Sequence, residues 1–352
     1  MRISDILKKS NQPREEKSAQ GIPRDIPLKE ESPRGAPDKE TEAFFVSRIS
    51  SVMDRVVSEE ETVRLYDEAL SLVGQVIRED ADYRGIEALK LADTVARISQ
   101  QIAFGNELLL LLAFTRNSIQ TNYLLCHSLN VCIYALRIGL GLNYENKQLL
   151  ELGVSAFLHD LGMAKYLDLA NQPRRLSDEE FKQIKNHPSF GAEAVARLKD
   201  FGKSAAEVCR QHHERCDGSG YPGGLKGEAL SDYAKIVGIA DVYEAMTHKR
   251  AYRQKFLSLE TVQVILDAKD KFDQRLIKLL IDRVGIFPVG SLVKISSRET
   301  AQVIKINIGV PLRPVVRIVR DAEGRKPPSE KIFDLSAHPT VYVKGEERLV
   351  DT

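Results

Sequence analysis

Histidines are concentrated in the middle of this 352-residue chain, in a pattern that favours metal binding. Five of the seven histidines fall between residues 127 and 213, and His159 is followed directly by an aspartate. Adjacent imidazoles within an apolar helical segment are costly to bury unless their lone pairs are bound, and so is a carboxylate in the apolar run KIVGIADVYEAM. The candidate metal ligands are His127, His159, Asp160, His187, His212, His213 and Asp241.

Taken singly, each candidate ligand has an ordinary structural explanation. A lone histidine such as His127, or a pair such as His159 and Asp160, is more often a hydrogen-bonded core group than a ligand. Asp241 alone fits a hydrogen bond between helices equally well. Together, the five imidazoles and two carboxylates suffice for two divalent ions bridged by Asp160. Nitrogen-rich ligation favours iron, manganese, nickel or zinc over magnesium or calcium, so a pair of first-row transition metal ions is predicted.

A glycine-rich loop follows the histidine pair. Residues 217–227 contain five glycines, which permit positive φ and close approach of the backbone. Tyr221 offers a flat face on which a guanine could stack. Such a loop is by default a surface connector, but its place directly after two candidate ligands favours a role in the pocket. The basic segment THKRAYR, after the last candidate carboxylate, could bind phosphate through Arg250 and Arg253 or could form a solvated face.

The elements that must position these residues are mainly helical. Residues 1–40 carry five of the fourteen prolines among mixed charges and are predicted to be a disordered leader. Apolar residues at three and four spacing predict a helical module over 41–116, and this periodicity continues over 117–285. Five short β-branched runs, LVKIS, AQVIKI, PVVRIV, KIFDL and TVYV, predict a small antiparallel sheet or barrel over 286–352. The predicted fold is mainly α, with the chemistry in the central helical domain.

The bulk composition excludes several kinds of partner. Lys and Arg total 51 against 50 Asp and Glu, so no net field draws the chain to a nucleic acid polymer or to a membrane surface. No run of about 18 apolar residues predicts a membrane span, and no signal peptide is evident at the N-terminus. The four cysteines lack CxxC spacing and are predicted to be reduced. A cytoplasmic protein is expected.

The segment HHERCDGSGYPGGLKG, residues 212–227, resembles the signature of the HD-GYP subgroup of the HD phosphohydrolase superfamily. The similarity extends to HSLNV, FLHDLG, LSDEEFKQIKNHPSFGAE and ADVYEAMTHKRAYR, and covers roughly residues 119–284. It implies an HD-type all-helical catalytic domain in which all seven candidate ligands bind metal. It also implies contacts to the substrate by Gly220, Tyr221, Pro222, Arg250 and Arg253.

The activity that this resemblance implies is hydrolysis of cyclic di-GMP to pGpG, with onward cleavage to GMP left open. His159 and Asp160 would be catalytic, because two metal ions can activate a shared water and neutralise the phosphate oxygens. Iron or manganese is favoured, with nickel or zinc as alternatives. The resemblance also suggests signalling partners, such as diguanylate cyclase domains, and leaves homodimer formation open.

The chain departs from the family pattern at three positions. Met163 stands where many members have a lysine, Tyr123 stands where some members have an acidic ligand for a third metal, and Glu244 replaces an aspartate. A two-metal site is therefore expected. The change at Met163 keeps a rival interpretation open, a receptor or scaffold that binds cyclic di-GMP without hydrolysing it. A further alternative is an HD phosphohydrolase acting on another nucleotide, which the Gly-Tyr-Pro loop disfavours.

Overall fold

A computed structural model describes residues 57–78, 88–116, 123–198, 201–249 and 254–347. The predicted leader, residues 1–40, lies outside this range, and so do residues 41–56 of the predicted helical module.

The described residues form twelve α-helices, three short 3₁₀ turns and five strands. The helices are α1 (Glu59–Arg78), α2 (Ala88–Ala103), α3 (Leu108–Thr115), α4 (Tyr123–Gly141), α5 (Asn146–Leu158), α6 (Leu167–Ala170), α7 (Asp178–Ile184), α8 (His187–Val195), α9 (Gly202–Gln211), α10 (Asp232–Thr247), α11 (Ser258–Asp267) and α12 (Gln274–Arg283). The 3₁₀ turns are Leu161–Tyr166, Gly227–Ala229 and Lys269–Lys271. The strands are β1 (Leu292–Ile295), β2 (Thr300–Lys305), β3 (Val315–Arg320), β4 (Ile332–Asp334) and β5 (Val343–Glu346). The prediction of a mainly α fold with a small C-terminal sheet is confirmed.

Helix α4 is the centre of the helical part. It is apolar on all sides, and it packs against α1, α2, α3, α5, α10 and α12. By length and composition α4 could cross a membrane, but 83% of its apolar 18-residue stretch is buried inside the protein. A helix that is hydrophobic all round must be covered on all sides, and here other helices supply the cover.

The N-terminal helices share the hydrophobic core of the central helices. Leu65 and Leu72 of α1 and Val95 of α2 are buried in the same hydrophobic cluster as Leu129 of α4. Leu89, at the start of α2, is by contrast 68% exposed. The predicted boundary between the helical module, which ends at residue 116, and the central domain, which begins at residue 117, adjoins residues outside the described range. It stays a prediction.

The five strands form one antiparallel sheet in the order β4-β3-β2-β1-β5. Alternate residues of β1 and β3 are buried, as expected when one face of a sheet covers a core. That core is separate from the helical one and includes Val293, Val303 and Val316. The run TVYV was predicted as the last strand, but β5 begins at its final valine, Val343, which pairs with Ile295 of β1.

Candidate metal centre

The carboxylate of Asp160 lies at the centre of four imidazoles. The Nε2 atoms of His187 and His212 are 3.1 and 3.5 Å from its Oδ1, and those of His127 and His159 are 3.5 and 3.9 Å from its Oδ2. Each oxygen of this one carboxylate thus lies near two imidazoles.

The second carboxylate, Asp241, completes the group. Its Oδ1 is 3.3 Å from Nε2 of His127, and its Oδ2 is 3.6 Å from Nδ1 of His213. The structure therefore brings together all seven residues that the sequence singled out as ligands.

Five separate chain segments supply these side chains. His127 lies in the second turn of α4 and Asp241 in the middle of α10, and both helices are largely buried. His159 directly follows α5, and Asp160 comes next, before a 3₁₀ turn. The remaining ligands, His187, His212 and His213, lie at the first residue of α8 and directly after α9.

Backbone carbonyls orient three of the imidazoles. Nδ1 of His159 lies 2.7 Å from the carbonyl oxygen of Ala156, and Nδ1 of His187 lies 2.8 Å from that of Ile184. Nδ1 of His212 is similarly placed, 2.9 Å from the carbonyl of Cys209. Each Nδ1–H donates outward, and the Nε2 lone pair is therefore directed at the Asp160 carboxylate, as metal ligation requires.

Several polar atoms at the centre of the cluster are buried without a hydrogen bond among the described residues. They are Nε2 of His159, Oδ1 of Asp160 and Nδ1 of His213. Leaving such atoms unsatisfied is costly, and a cation between them would satisfy all three. The ligand atoms fall into two groups, each within 4.8 Å, that share Asp160: one with His127 and His159, the other with His187, His212 and His213. The residues present therefore fit two divalent ions bridged by one carboxylate.

Burial and mutual contact place these groups in the protonation states of ligands. Burial lowers the pKa of His159 to about 4 and that of His213 well below its usual value. Burial alone would raise the pKa of Asp160, but the adjacent His159, His127 and the other imidazoles around it hold it well below its ordinary value. His159 and His213 are thus neutral and Asp160 is ionised at neutral pH, the forms that bind metal.

The seven candidate ligands are called the metal cluster below. Glu214, a residue that the sequence analysis did not single out, holds the glycine-rich loop against it. Its buried carboxylate accepts hydrogen bonds from the backbone N–H groups of Gly223 at 2.5 Å and Leu225 at 3.1 Å. Gly220 packs so tightly here that a Cβ would lie 2.3 Å from Cα of Glu214. The acidic residue directly after the two histidines was the available signal for this anchor.

The loop carries Tyr221 over the cluster. Its ring stacks on His213, with 4.7 Å between the ring centroids. Lys185, also missed by the sequence analysis, places its Nζ 5.0 Å from the centroid of the Tyr221 ring. Pro222 is exposed on the outer side of the loop. The predicted phosphate contacts Arg250 and Arg253 lie outside the described residues.

The three departures from the family pattern have distinct environments. Met163 is buried in an apolar cluster with Leu124 and Ile184, against which Tyr123 packs. The nearby Lys165 places its Nζ 3.9 Å from the centroid of a phenylalanine ring. Glu244 is also buried and lies against the metal cluster, with Oε2 2.5 Å from Nδ1 of His127.

Two family models match the chain. The HD domain matches residues 112–276, and a KOW domain associated with the HD domain matches residues 292–347. A cyclic di-GMP phosphodiesterase of Pseudomonas aeruginosa is 30% identical over 285 residues, which cover 80% of this chain and 68% of that protein. A cyclic di-GMP phosphodiesterase of Borreliella burgdorferi is 29% identical over 203 residues, 57% of this chain and 53% of that protein. The chain belongs to the HD domain family and, within it, to the HD-GYP type.

A solved structure shares the fold. An HDG"Y"P protein from Bdellovibrio bacteriovorus superposes with a TM-score of 0.54, over 68% of this chain and 78% of that chain, at 19% identity. At this identity the likeness is one of architecture.

Proposed function

We propose that the protein is a metal-dependent phosphodiesterase that hydrolyses cyclic di-GMP to pGpG. The observation that carries the proposal is the position of Asp160 among four imidazoles, directly beneath the loop that bears Tyr221. The relatives named as cyclic di-GMP phosphodiesterases support the choice of substrate.

Two overlapping ligand sets would hold the metal ions. One consists of His127, His159 and Asp160, and the other shares Asp160 with His187, His212 and His213. When bound, such ions lower the pKa of a water towards neutrality and neutralise phosphate oxygens, the two requirements of phosphodiester hydrolysis. The nitrogen-rich donor set supports iron or manganese, with nickel or zinc as alternatives.

The residues around the cluster would bind and orient the dinucleotide. One face of the Tyr221 ring is covered by His213, so a guanine would stack on the opposite face. Lys185, Arg250 and Arg253 are the cations proposed to contact the phosphates. Onward cleavage of pGpG to GMP is a separate outcome of the assay below.

The test measures how fast the purified, metal-loaded protein cleaves cyclic di-GMP, 3′3′-cGAMP, cyclic di-AMP and a simple phosphodiester. The products are separated by chromatography. We expect cyclic di-GMP to be cleaved fastest and His159→Ala to abolish cleavage. Three other relatives are named 3′3′-cGAMP-specific phosphodiesterases, so a preference for that substrate would correct the proposal. Tight binding of cyclic di-GMP without turnover would favour the receptor interpretation instead. That interpretation is supported by Met163, which is buried among apolar side chains where many family members have a lysine.

Metal content is tested independently of turnover. We expect elemental analysis to find about two ions per chain, as in two-metal hydrolytic sites. Asp160→Asn should reduce this content sharply, because Asp160 belongs to both ligand sets. Retention of both ions by that variant would contradict the bridging role.

The cellular setting is also a proposal. A cytoplasmic location is supported by the four cysteines, none of which forms a disulfide in the described part of the chain and three of which are buried. Signalling proteins such as diguanylate cyclase domains, or a second copy of this chain, are the partners we propose. Their support is the resemblance to the HD-GYP family.

A further inference from the structure

A line of buried hydrogen bonds connects the metal cluster to the N-terminal helix α1. Nδ1 of His127 lies 2.5 Å from Oε2 of Glu244, and Oε1 of Glu244 accepts a hydrogen bond from Nδ2 of Asn130 at 3.3 Å. The other end of the Asn130 amide, Oδ1, accepts a hydrogen bond from the hydroxyl of Tyr66 at 2.8 Å. Tyr66 belongs to α1, outside the HD domain match.

Each member of this line is removed from solvent. Tyr66 and Asn130 are 0% exposed, and Glu244 is 2% exposed. Water therefore cannot replace a lost hydrogen bond without entering the core, and each group depends on its neighbour.

The orientation of His127 follows from this line. Of the five candidate histidine ligands, His127 has its Nδ1 against a side-chain carboxylate, while backbone carbonyls lie beside Nδ1 of His159, His187 and His212. Donation from Nδ1–H to Glu244 directs the Nε2 lone pair towards Asp160 and Asp241. Carboxylates in this position orient a ligating histidine and increase its basicity.

A second contact from the N-terminal helices reaches the same carboxylate. Nε2 of His248 lies 2.8 Å from the carbonyl oxygen of Ala113 in α3, and its Nδ1 lies 3.4 Å from Oε1 of Glu244. Helix α1, through Asn130, and helix α3, through His248, are therefore both connected to Glu244. An aspartate here would be one carbon–carbon bond shorter, about 1.5 Å, and could not keep these contacts from the same backbone position.

We propose that Tyr66, Asn130 and Glu244 are positioning residues through which helix α1 holds His127 in its ligating orientation. A displacement of α1 would then weaken metal binding without touching any ligand. This inference rests on the proposed metal centre, but not on the identity of the substrate.

The test measures metal affinity directly, by competition of Mn²⁺ or Co²⁺ with a chelator, together with the visible absorption spectrum of the Co²⁺-loaded protein. Tyr66→Phe removes only the hydroxyl at the far end of the line, and Glu244→Gln removes the carboxylate next to His127. Tyr134→Phe is the matched control, because Tyr134 is a buried tyrosine of α4 whose hydroxyl has no hydrogen-bond partner among the described residues.

We expect Glu244→Gln to lower metal affinity about 10- to 100-fold, the range for lost partners of ligating histidines. Tyr66→Phe should lower it about 2- to 10-fold, which corresponds to one hydrogen bond. Both should change the Co²⁺ spectrum, whereas Tyr134→Phe should leave affinity and spectrum as in the wild type. Glu244→Asp should resemble Glu244→Gln.

The proposal is overturned if Tyr66→Phe lowers the unfolding temperature but binds metal like Tyr134→Phe, since the hydroxyl would then be structural only. It is also overturned if Glu244→Gln binds metal normally, or if the wild type binds no metal. A wild type that binds metal and shows these differences, but does not cleave cyclic di-GMP, would support this inference while contradicting the proposed function.

Discussion

The phenol ring of Tyr221 stacks on the imidazole of His213, with 29° between the ring planes. The backbone N–H of Tyr221 also donates to the carbonyl oxygen of His213 at 3.2 Å. The loop that would bind a base is thus in direct contact with a candidate metal ligand.

The first prediction concerns the face of the Tyr221 ring opposite His213, on which a guanine is proposed to stack. Tyr221→Ala should raise KM for cyclic di-GMP by the factor that corresponds to about 1–3 kcal/mol, the worth of stacking one base on an aromatic ring. Tyr221→Phe keeps the ring and should stay within about threefold of the wild type. Steady-state kinetics with matched metal loading measures both. Equal losses in the two variants would assign the effect to the hydroxyl and contradict a stacking role.

Lys185 provides the second prediction. Its ammonium lies beside the Tyr221 ring and two residues before His187, so it can meet a phosphate of a stacked dinucleotide. Lys185→Ala should raise KM about 5- to 20-fold at low salt, less than a fully buried charged hydrogen bond would give, because the side chain is partly exposed. The effect should shrink as ionic strength rises.

The control for Lys185 is Lys182→Ala, which removes an exposed lysine of α7, the helix that ends directly before Lys185. If both variants raise KM equally, the effect is one of net charge rather than of position. A KM that is unchanged in Lys185→Ala would remove this lysine from the site.

The grouping of the seven candidate ligands was predictable from the sequence, whereas the contacts around them were not. Adjacent histidines and a carboxylate in an apolar helix are costly without a metal, and this cost can be recognised from neighbouring residues alone. The position of Lys185 against Tyr221, by contrast, joins segments 36 residues apart, and the contact of Glu244 with His127 joins residues 117 apart. Composition and spacing within one segment carry no information about such pairs.

The C-terminal strands also differ between what one segment shows and what depends on contacts between segments. Four of the five predicted runs coincide with strands, because alternating β-branched residues identify each strand locally. The placement of β5 beside β1, at an irregular register, depends on a pairing across the whole domain. That pairing is set by tertiary packing, and the boundary of β5 was accordingly predicted three residues too early.

The third prediction concerns the contact between the Asp160 turn and helix α8. A Cβ at Gly162 would lie 2.0 Å from the carbonyl oxygen of His187 and 2.7 Å from the backbone nitrogen of Gly191. Gly162→Ala must therefore separate two ligand-bearing segments, at a cost of about 1–3 kcal/mol or more. We expect a lower unfolding temperature and a lower metal content.

Gly345→Ala is the control for Gly162, because a Cβ there meets nothing within 4 Å. It should keep the unfolding temperature and the metal content of the wild type. If Gly162→Ala behaves in the same way, helix α8 is not held against the Asp160 turn as closely as the structure indicates.

The last prediction concerns Glu346, which joins the β-sheet to the helical domain. Its Oε2 accepts a hydrogen bond from the backbone N–H of Ser258, the first residue of α11, at 2.7 Å, and its Oε1 accepts from the Ser258 hydroxyl at 3.2 Å. Burial raises the pKa of Glu346 above its ordinary value of 4.5, although these hydrogen bonds partly oppose the shift. The folded state therefore binds this proton more tightly than the unfolded state does.

The sign of the pH dependence follows from that difference. The contribution of Glu346 to stability is full below pH 4.5 and is lost as the pH rises through the raised pKa of the folded state. Glu346→Gln keeps an acceptor but cannot ionise, so the unfolding temperature of the wild type should fall relative to this variant as the pH rises above 4.5. Thermal denaturation of both proteins without metal, over a pH series, isolates this residue because all other titrating groups are shared. A difference that stays constant with pH would show that Glu346 titrates alike in the folded and unfolded chains, and that burial at this junction does not perturb it.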